Sequence, residues 1–348
     1  MSELFAERFL LRLQAGTAAE RAEIVRYLGR IYAETPAGSE LQSDLSIALV
    51  AVLDDPVPMV RQSLSEATAR CSHLPMTVLL GLAEDSPEVA APLLRQNPSL
   101  TEAWLIDLVG SGREGHRLAI AEREQLGIGL TAAIAAIADS ETCKSLLRNS
   151  GARISTSALA TMIERFGDNP DLRAILLRRQ DLPTGLRRRL IGSLTDSLAR
   201  HVVSNNLMPA NRASLVIADA EERALIEVGE EAEESELLDF AAQLHDDGAI
   251  TVSMLLRALI DGRVEFVEAA FAVMANIPPR RVRAVLRRAG PAFLSLYRRC
   301  GLDPAGQGAL AAAIDVLSED KCWDGGPDHN RRRILERVLS RYEHVCGP

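Results

Sequence analysis

An apolar residue opening a helical stretch recurs at Leu74, Leu100, Leu126, Ile154 and Leu182, at intervals of 26, 26, 28 and 28 residues. A period of that size marks stacked supersecondary units, because one pair of helices cannot bury both of its faces alone. Each opening leads into apolar residues three and four apart, which share one helical face. Val78, Leu79 and Leu82 follow the first; Trp104, Leu105 and Leu108 the second; Leu130, Ile134 and Ile137 the third. Leu159, Met162 and Ile163 follow the fourth, and Leu186, Leu190 and Ile191 the fifth.

Each helix then meets a breaker: Asp85-Ser86-Pro87, Gly110-Ser111-Gly112, Asp139-Ser140, Asp168-Asn169-Pro170 and Asp196. Asp or Ser ahead of Pro favours a helix start, since Pro fits the first turn and its neighbour can cap it. Shorter second helices are expected over Val89 to Leu94, His116 to Ala121, Cys143 to Leu147 and Leu172 to Leu177. An earlier copy shows at Asp54-Asp55-Pro56 followed by Val60 to Leu64. The expected fold is therefore an all-α solenoid of short helical hairpins with a C-terminal helical region. Its divisions are 1–204 for the hairpins, 205–248 for an acidic helical connector, and 249–348 for a C-terminal helical domain or a continuation of the solenoid. Aromatic residues make up only 4% of the chain, which fits helices rich in Ala, Leu and Arg and not a β-rich core.

Two resemblances accompany this pattern. Asp54-Asp55-Pro56-Val57-Pro58-Met59-Val60-Arg61 resembles the inter-helix turn of a HEAT repeat, and Asp85-Ser86-Pro87-Glu88-Val89-Ala90 is similar but has Ala90 in place of the Arg. The units are shorter than a standard HEAT unit. The stretches Ser86 to Leu94 and Ile250 to Leu259 resemble a bacterial family catalogued as a domain of unknown function. That resemblance covers most of the chain. It implies a helical repeat protein and brings no activity and no functional residues.

In the second half, helices are expected from Thr251 or Ser253 through Ile260, Val264 to Met274, Arg280 to Ala289, Pro291 to Cys300, Ala309 to Leu317 and Asn330 to Cys346. Cys322 to Asp328, with Gly325-Gly326-Pro327, reads as a loop. Charge is segregated here. Asp219 to Asp247 holds twelve acids and one base, Arg223, whereas Arg263 to Arg299 holds eight Arg against Glu265 and Glu268. Opposed blocks of this kind attract within a molecule or between two copies.

Enzyme motifs are sparse. His245-Asp246, with His201 upstream and Asp303 or Asp315 downstream, follows the order of residues in HD-type metal phosphohydrolases, but the flanking sequence carries no further signature. Gly127 and Gly129 lack the preceding strand and spacing of a dinucleotide fingerprint and read as a turn. Cys71, Cys143, Cys300, Cys322 and Cys346 are too dispersed for a disulfide framework or a zinc knuckle and read as reduced. No cofactor is expected. Met1 to Leu4 lacks the basic, then apolar, pattern of a signal peptide, and no apolar run is long enough to span a bilayer, so the expected location is the cytoplasm.

Arginine groups are the remaining candidates. Arg187, Arg188 and Arg189 lie on one expected helix and Arg280, Arg283 and Arg287 share a face of another. The function expected from these features is a non-enzymatic interaction scaffold that binds a protein partner, with self-association as one outcome. A nucleic-acid-binding repeat protein using the arginine helices is the alternative, although the net charge of −9 argues against general affinity for phosphates. A degenerate HD-type phosphohydrolase is the third reading.

Overall fold

The computed structural model describes residues 16–205, 207–230, 234–288, 290–320 and 331–346. The expected loop at Cys322 to Asp328 lies outside them. Among the described residues the fold is all-α, with helices packing in sequence order and no strand. The chain divides into two compact units, 1–182 and 183–348.

The first unit contains α1 (Ala18–Glu34), α2 (Glu40–Val52), α3 (Pro58–Thr68), α4 (Met76–Ala83), α5 (Pro87–Gln96), α6 (Glu102–Ser111), α7 (Glu114–Ala121), α8 (Ile128–Ile137), α9 (Ser140–Arg148), α10 (Thr156–Phe166) and α11 (Pro170–Leu177). Odd-numbered helices stack on one another from α1 to α11, and α6, α8 and α10 stack in a second layer. This is the solenoid that the 26- to 28-residue period requires. Its helices start where the caps stand: Thr101, Asp139, Ser155 and Asn169 each accept a backbone N–H through their side chains, and Pro87 and Pro170 occupy the first turn.

Side chains from one hairpin also complete the helix ends of the one before. Arg123 donates to the carbonyls of Leu94 and Asn97, Asn149 to those of Ala121 and Arg123, Arg165 to those of Ala135 and Ile137, and Arg179 to that of Leu147. The last carbonyls of an α-helix have no partner inside it, and each of these side chains supplies one. Acid–base contacts add to the joints. Arg21 forks onto Asp55, and Arg61 onto Asp85. At one joint, Glu102 accepts from the backbone N–H of Leu130, and its carboxylate lies where a Cβ on Gly127 would stand. Gly127 therefore keeps its place as the residue ahead of α8 by having no side chain.

The second unit contains α12 (Thr184–Ser204), α13 (Ala210–Glu230), α14 (Glu234–Asp246), α15 (Val252–Ile260), α16 (Val264–Ala275), α17 (Pro279–Leu286), α18 (Pro291–Arg299), a 3-10 turn (Pro304–Gly306), α19 (Gln307–Asp320) and α20 (Arg331–Cys346). Its core joins Phe240, Phe266, Phe271, Phe293 and Tyr297 to aliphatic side chains from every α-helix of the unit, from Ile191 on α12 to Ile334 and Val338 on α20. Thr251 caps α15 as expected, and Gly262 ends it with a left-handed backbone.

One expectation fails in this region. Asp196 does not break its helix. It sits inside the 21-residue α12, because a lone Asp without Gly or Pro costs only about 0.5–0.7 kcal/mol in a helix and the long α13 packs along it. α12 pairs with α13 and lies in the second compact unit, which begins at Pro183.

Candidate interaction surfaces

Val282 and Leu286, four residues apart, anchor α17 to the core. The rest of the helix faces outward, and its exposed surface is built from Arg280, Arg281, Arg283, Ala284, Arg287 and Arg288. The neighbouring α18 repeats the arrangement, with Phe293, Leu296 and Tyr297 buried and Arg298 and Arg299 exposed. Residues 279–299 contain seven Arg and no acid, in a chain whose net charge is −9. Among the described residues, no carboxylate lies at ion-pair distance from Arg280, Arg281, Arg288, Arg298 or Arg299.

Arg283 differs from these. It holds the carboxylate of Glu268 on α16, with Nε 2.8 Å and Nη2 2.7 Å from Oε2. Glu268 is 4% exposed and lines a cleft with Leu237, Leu238, Glu265 and Pro279. Burial pushes its carboxyl above the ordinary range despite the opposing pull of Arg283 and Arg287. Arg283 therefore neutralises a buried charge as well as facing solvent.

The other expected group is less available. Arg188 is half-buried and ion-paired with Asp247, and Arg187 is also half-buried; Arg189 is exposed. These three lie on α12, away in sequence from the α17–α18 surface. Among the described residues, several acids of the 219–247 run are engaged by arginines outside α17. Asp219 pairs with Arg223 and Arg257, Glu222 lies 4.0 Å from Arg257, and Asp247 pairs with Arg188. The sequence pattern showed opposite charges without showing which of them meet.

The residues of the HD-like order do not assemble. His201 is in the last turn of α12, His245 and Asp246 end α14, and Asp303 caps the 3-10 turn. Among the described residues no three His, Cys, Asp or Glu side chains stand together in a group that could hold a metal ion. Cys71 and Cys143 are buried and Cys300 is half-buried, all as free thiols; the side chains of Cys322 and Cys346 lie outside the described set. His116 is buried and caps the start of α7: its Nδ1 accepts from the Arg113 N–H and its Nε2 donates to the Asp85 carbonyl.

The model of a bacterial family described as "Uncharacterised protein conserved in bacteria (DUF2336)" matches residues 89–346. The chain belongs to this family. The DUF2336 match begins inside α5 and takes in both the later hairpins and the arginine surface of α17 and α18. Searches of curated proteins and of solved structures each returned no match. Among the described residues, no helix is long and apolar enough to cross a membrane.

Proposed function

We propose that this DUF2336 protein is a non-enzymatic interaction scaffold that docks an acidic protein segment on the arginine surface of α17 and α18. The observation that carries this reading is the surface itself: seven Arg, no acid, and, among the described residues, no carboxylate at ion-pair distance from five of them. Guanidinium groups present several N–H donors in a planar fork that matches carboxylates in pairs, and unpaired arginines on a rigid helix are ready for such contacts. Arg280 and Arg287 extend the surface around Arg283, and Arg189 offers a smaller basic site on α12. In the first unit, the grip of Arg61 on Asp85 supports reading the hairpins as short HEAT-like units. We place the scaffold in the cytoplasm, with its cysteines reduced.

Phosphates suit the same forks, so nucleic acid is the second reading. Base stacking, however, has no platform on this surface. Phe293 and Tyr297 are each 1% exposed and face the core.

The test replaces Arg280, Arg281 and Arg288 by Glu, which spares the Arg283–Glu268 pair. Wild type and variant are compared in binding a Glu/Asp-rich peptide and a DNA duplex at physiological salt. Peptide binding by the wild type, lost in the variant and weakened by salt, supports the scaffold reading. Duplex binding without peptide binding transfers the surface to the nucleic-acid reading.

A further inference from the structure

The cleft beside α17 is lined by apolar Leu237, Leu238 and Pro279 and by charged Glu265, Glu268 and Arg283, from α14, α16 and α17. Glu265 and Glu268 stand three residues apart on α16 and share a face. Glu268 is 4% exposed, and Arg283 meets it through Oε2 alone, from both Nε and Nη2. Among the described residues, Oε1 of Glu268 accepts no hydrogen bond, and no cation lies at ion-pair distance from Glu265. A carboxylate accepts through both oxygens, and a buried one is costly while an acceptor stays unfilled. Arg287 favours the charge of Glu268 from one turn further along α17. The lining itself nevertheless sets two carboxylates against one guanidinium.

The cleft and the arginine surface share a border. Pro279 and Arg283 line the cleft, and Arg283 stands in the stripe Arg280-Arg283-Arg287 of α17. A segment laid along that stripe passes the mouth of the cleft. An acid at that point of the segment meets Glu265 and Glu268 and is repelled. An apolar residue there covers Leu237 and Leu238 but leaves Oε1 without a donor. A basic residue answers both needs, because Lys and Arg carry an apolar stem and several N–H donors at its end.

We infer that the segment docked on α17 and α18 carries one Lys or Arg, held in this cleft by Glu268 and Glu265; the inference rests on the reading of that surface as a dock for an acidic segment. The stem packs on Leu237 and Leu238, and the cationic end completes the buried carboxylate at Oε1. The arginines accept acids on either side, while the cleft rejects an acidic run that is not interrupted at this place. Glu268 thereby sets specificity, with Arg283 holding its other oxygen.

The experiment compares three acidic peptides of equal length on the full-length protein by titration calorimetry at physiological salt. One is Glu/Asp throughout, one has a central Lys, and one has a central norleucine, which keeps the stem and drops the charge. The Lys peptide is expected to bind at least about tenfold tighter than the norleucine peptide, with the all-acidic peptide weakest. Glu268→Gln should reduce the Lys advantage to less than about threefold. Glu265→Gln, at an exposed position, should reduce it in part and gives a second reading should the buried variant fold poorly. An all-acidic peptide that binds as tightly as the Lys peptide, and is lost when Arg280, Arg281 and Arg288 become Glu, overturns this inference and leaves the docking surface standing. A Lys advantage that survives both Glu variants overturns it too, since the basic residue would then sit elsewhere. If none of the three peptides binds, the docking surface falls and the role of the cleft falls with it.

Discussion

Arg61 and Asp85 lie 24 residues apart and form a forked ion pair between successive hairpins, with Nε 2.5 Å from Oδ2 and Nη2 2.8 Å from Oδ1. The third nitrogen, Nη1, donates to the Asp55 carbonyl, so one guanidinium ties together two inter-helix turns. Both side chains are mostly buried, which separates this pair from surface ion pairs of little worth.

Burial alone would raise the Asp85 carboxyl, but the bonds from Arg61 and from the Ser86 amide outweigh it and hold it below its ordinary range. Asp55 is depressed in the same way by Arg21 and the Val57 amide. A carboxylate whose folded value is depressed contributes stability above its unfolded value of about 4, and that contribution is lost as pH falls through the folded value. Asp85→Asn is expected to lower stability by about 1–3 kcal/mol at pH 7 and by less at pH 3. Urea titrations at the two pH values check this; equal losses at both would refute it.

Glu268 behaves oppositely. Its folded value is raised, so its contribution is fully present below the unfolded value of about 4.3 and is lost as pH rises through the folded one. Arg283→Ala is expected to destabilise by about 1–3 kcal/mol at pH 7, because it strips the counter-charge from a buried carboxylate; the half-exposed Arg keeps the figure below that of a fully buried pair. Adding Glu268→Gln should recover part of the loss. A double-mutant cycle with no coupling would show that the pair is not felt.

Two glycines should respond in opposite directions to alanine. A Cβ on Gly151 would lie 1.8 Å from the Glu124 carbonyl oxygen, where the chain crosses itself beside the Leu126–Ala152 bridge, and Gly151→Ala is expected to cost about 1–3 kcal/mol or more. Gly110 sits in α6 with nothing near its Cβ position, and Gly110→Ala is expected to stabilise by about 0.5–1 kcal/mol. Thermal melts of the two variants beside the wild type decide the signs.

Burial pushes the Cys143 and Cys300 thiols up to about 11 and raises Cys71 as well. Because the thiolate is the nucleophile, all three should resist a neutral-pH thiol reagent in the native protein and react on unfolding. Peptide mapping after labelling identifies the sites, and rapid native labelling of Cys143 would contradict its burial.

Much of the solenoid was legible because its period is carried by residues that act locally. Apolar residues three and four apart mark each buried face, and Asp139, Ser155 and Asn169 cap from the positions where they stand. The helix through Asp196 was misread because its continuity comes from α13, a partner more than ten residues away in sequence. The arginines of α17 were legible as one exposed face, since Val282 and Leu286 define the other. That Arg283 is tied to Glu268, and Arg188 to Asp247, depended on contacts 15 and 59 residues away, which no local pattern reports. The contact of the buried His116 with the Asp85 carbonyl, 31 residues earlier, is equally beyond a local pattern.

The donors that finish the ends of α5, α7, α8 and α9 lie 26 to 32 residues downstream of the carbonyls they serve. This gives the stack a direction in time. On a ribosome adding about 5–20 residues per second, a hairpin waits roughly 1–6 s after its own synthesis before the chain that seals it exists. Arg123 cannot close the α5 end until the α7 segment has been made, nor Asn149 the α7 end until α9 has followed. At these joints, then, a helix end can be sealed only one hairpin behind the growing chain.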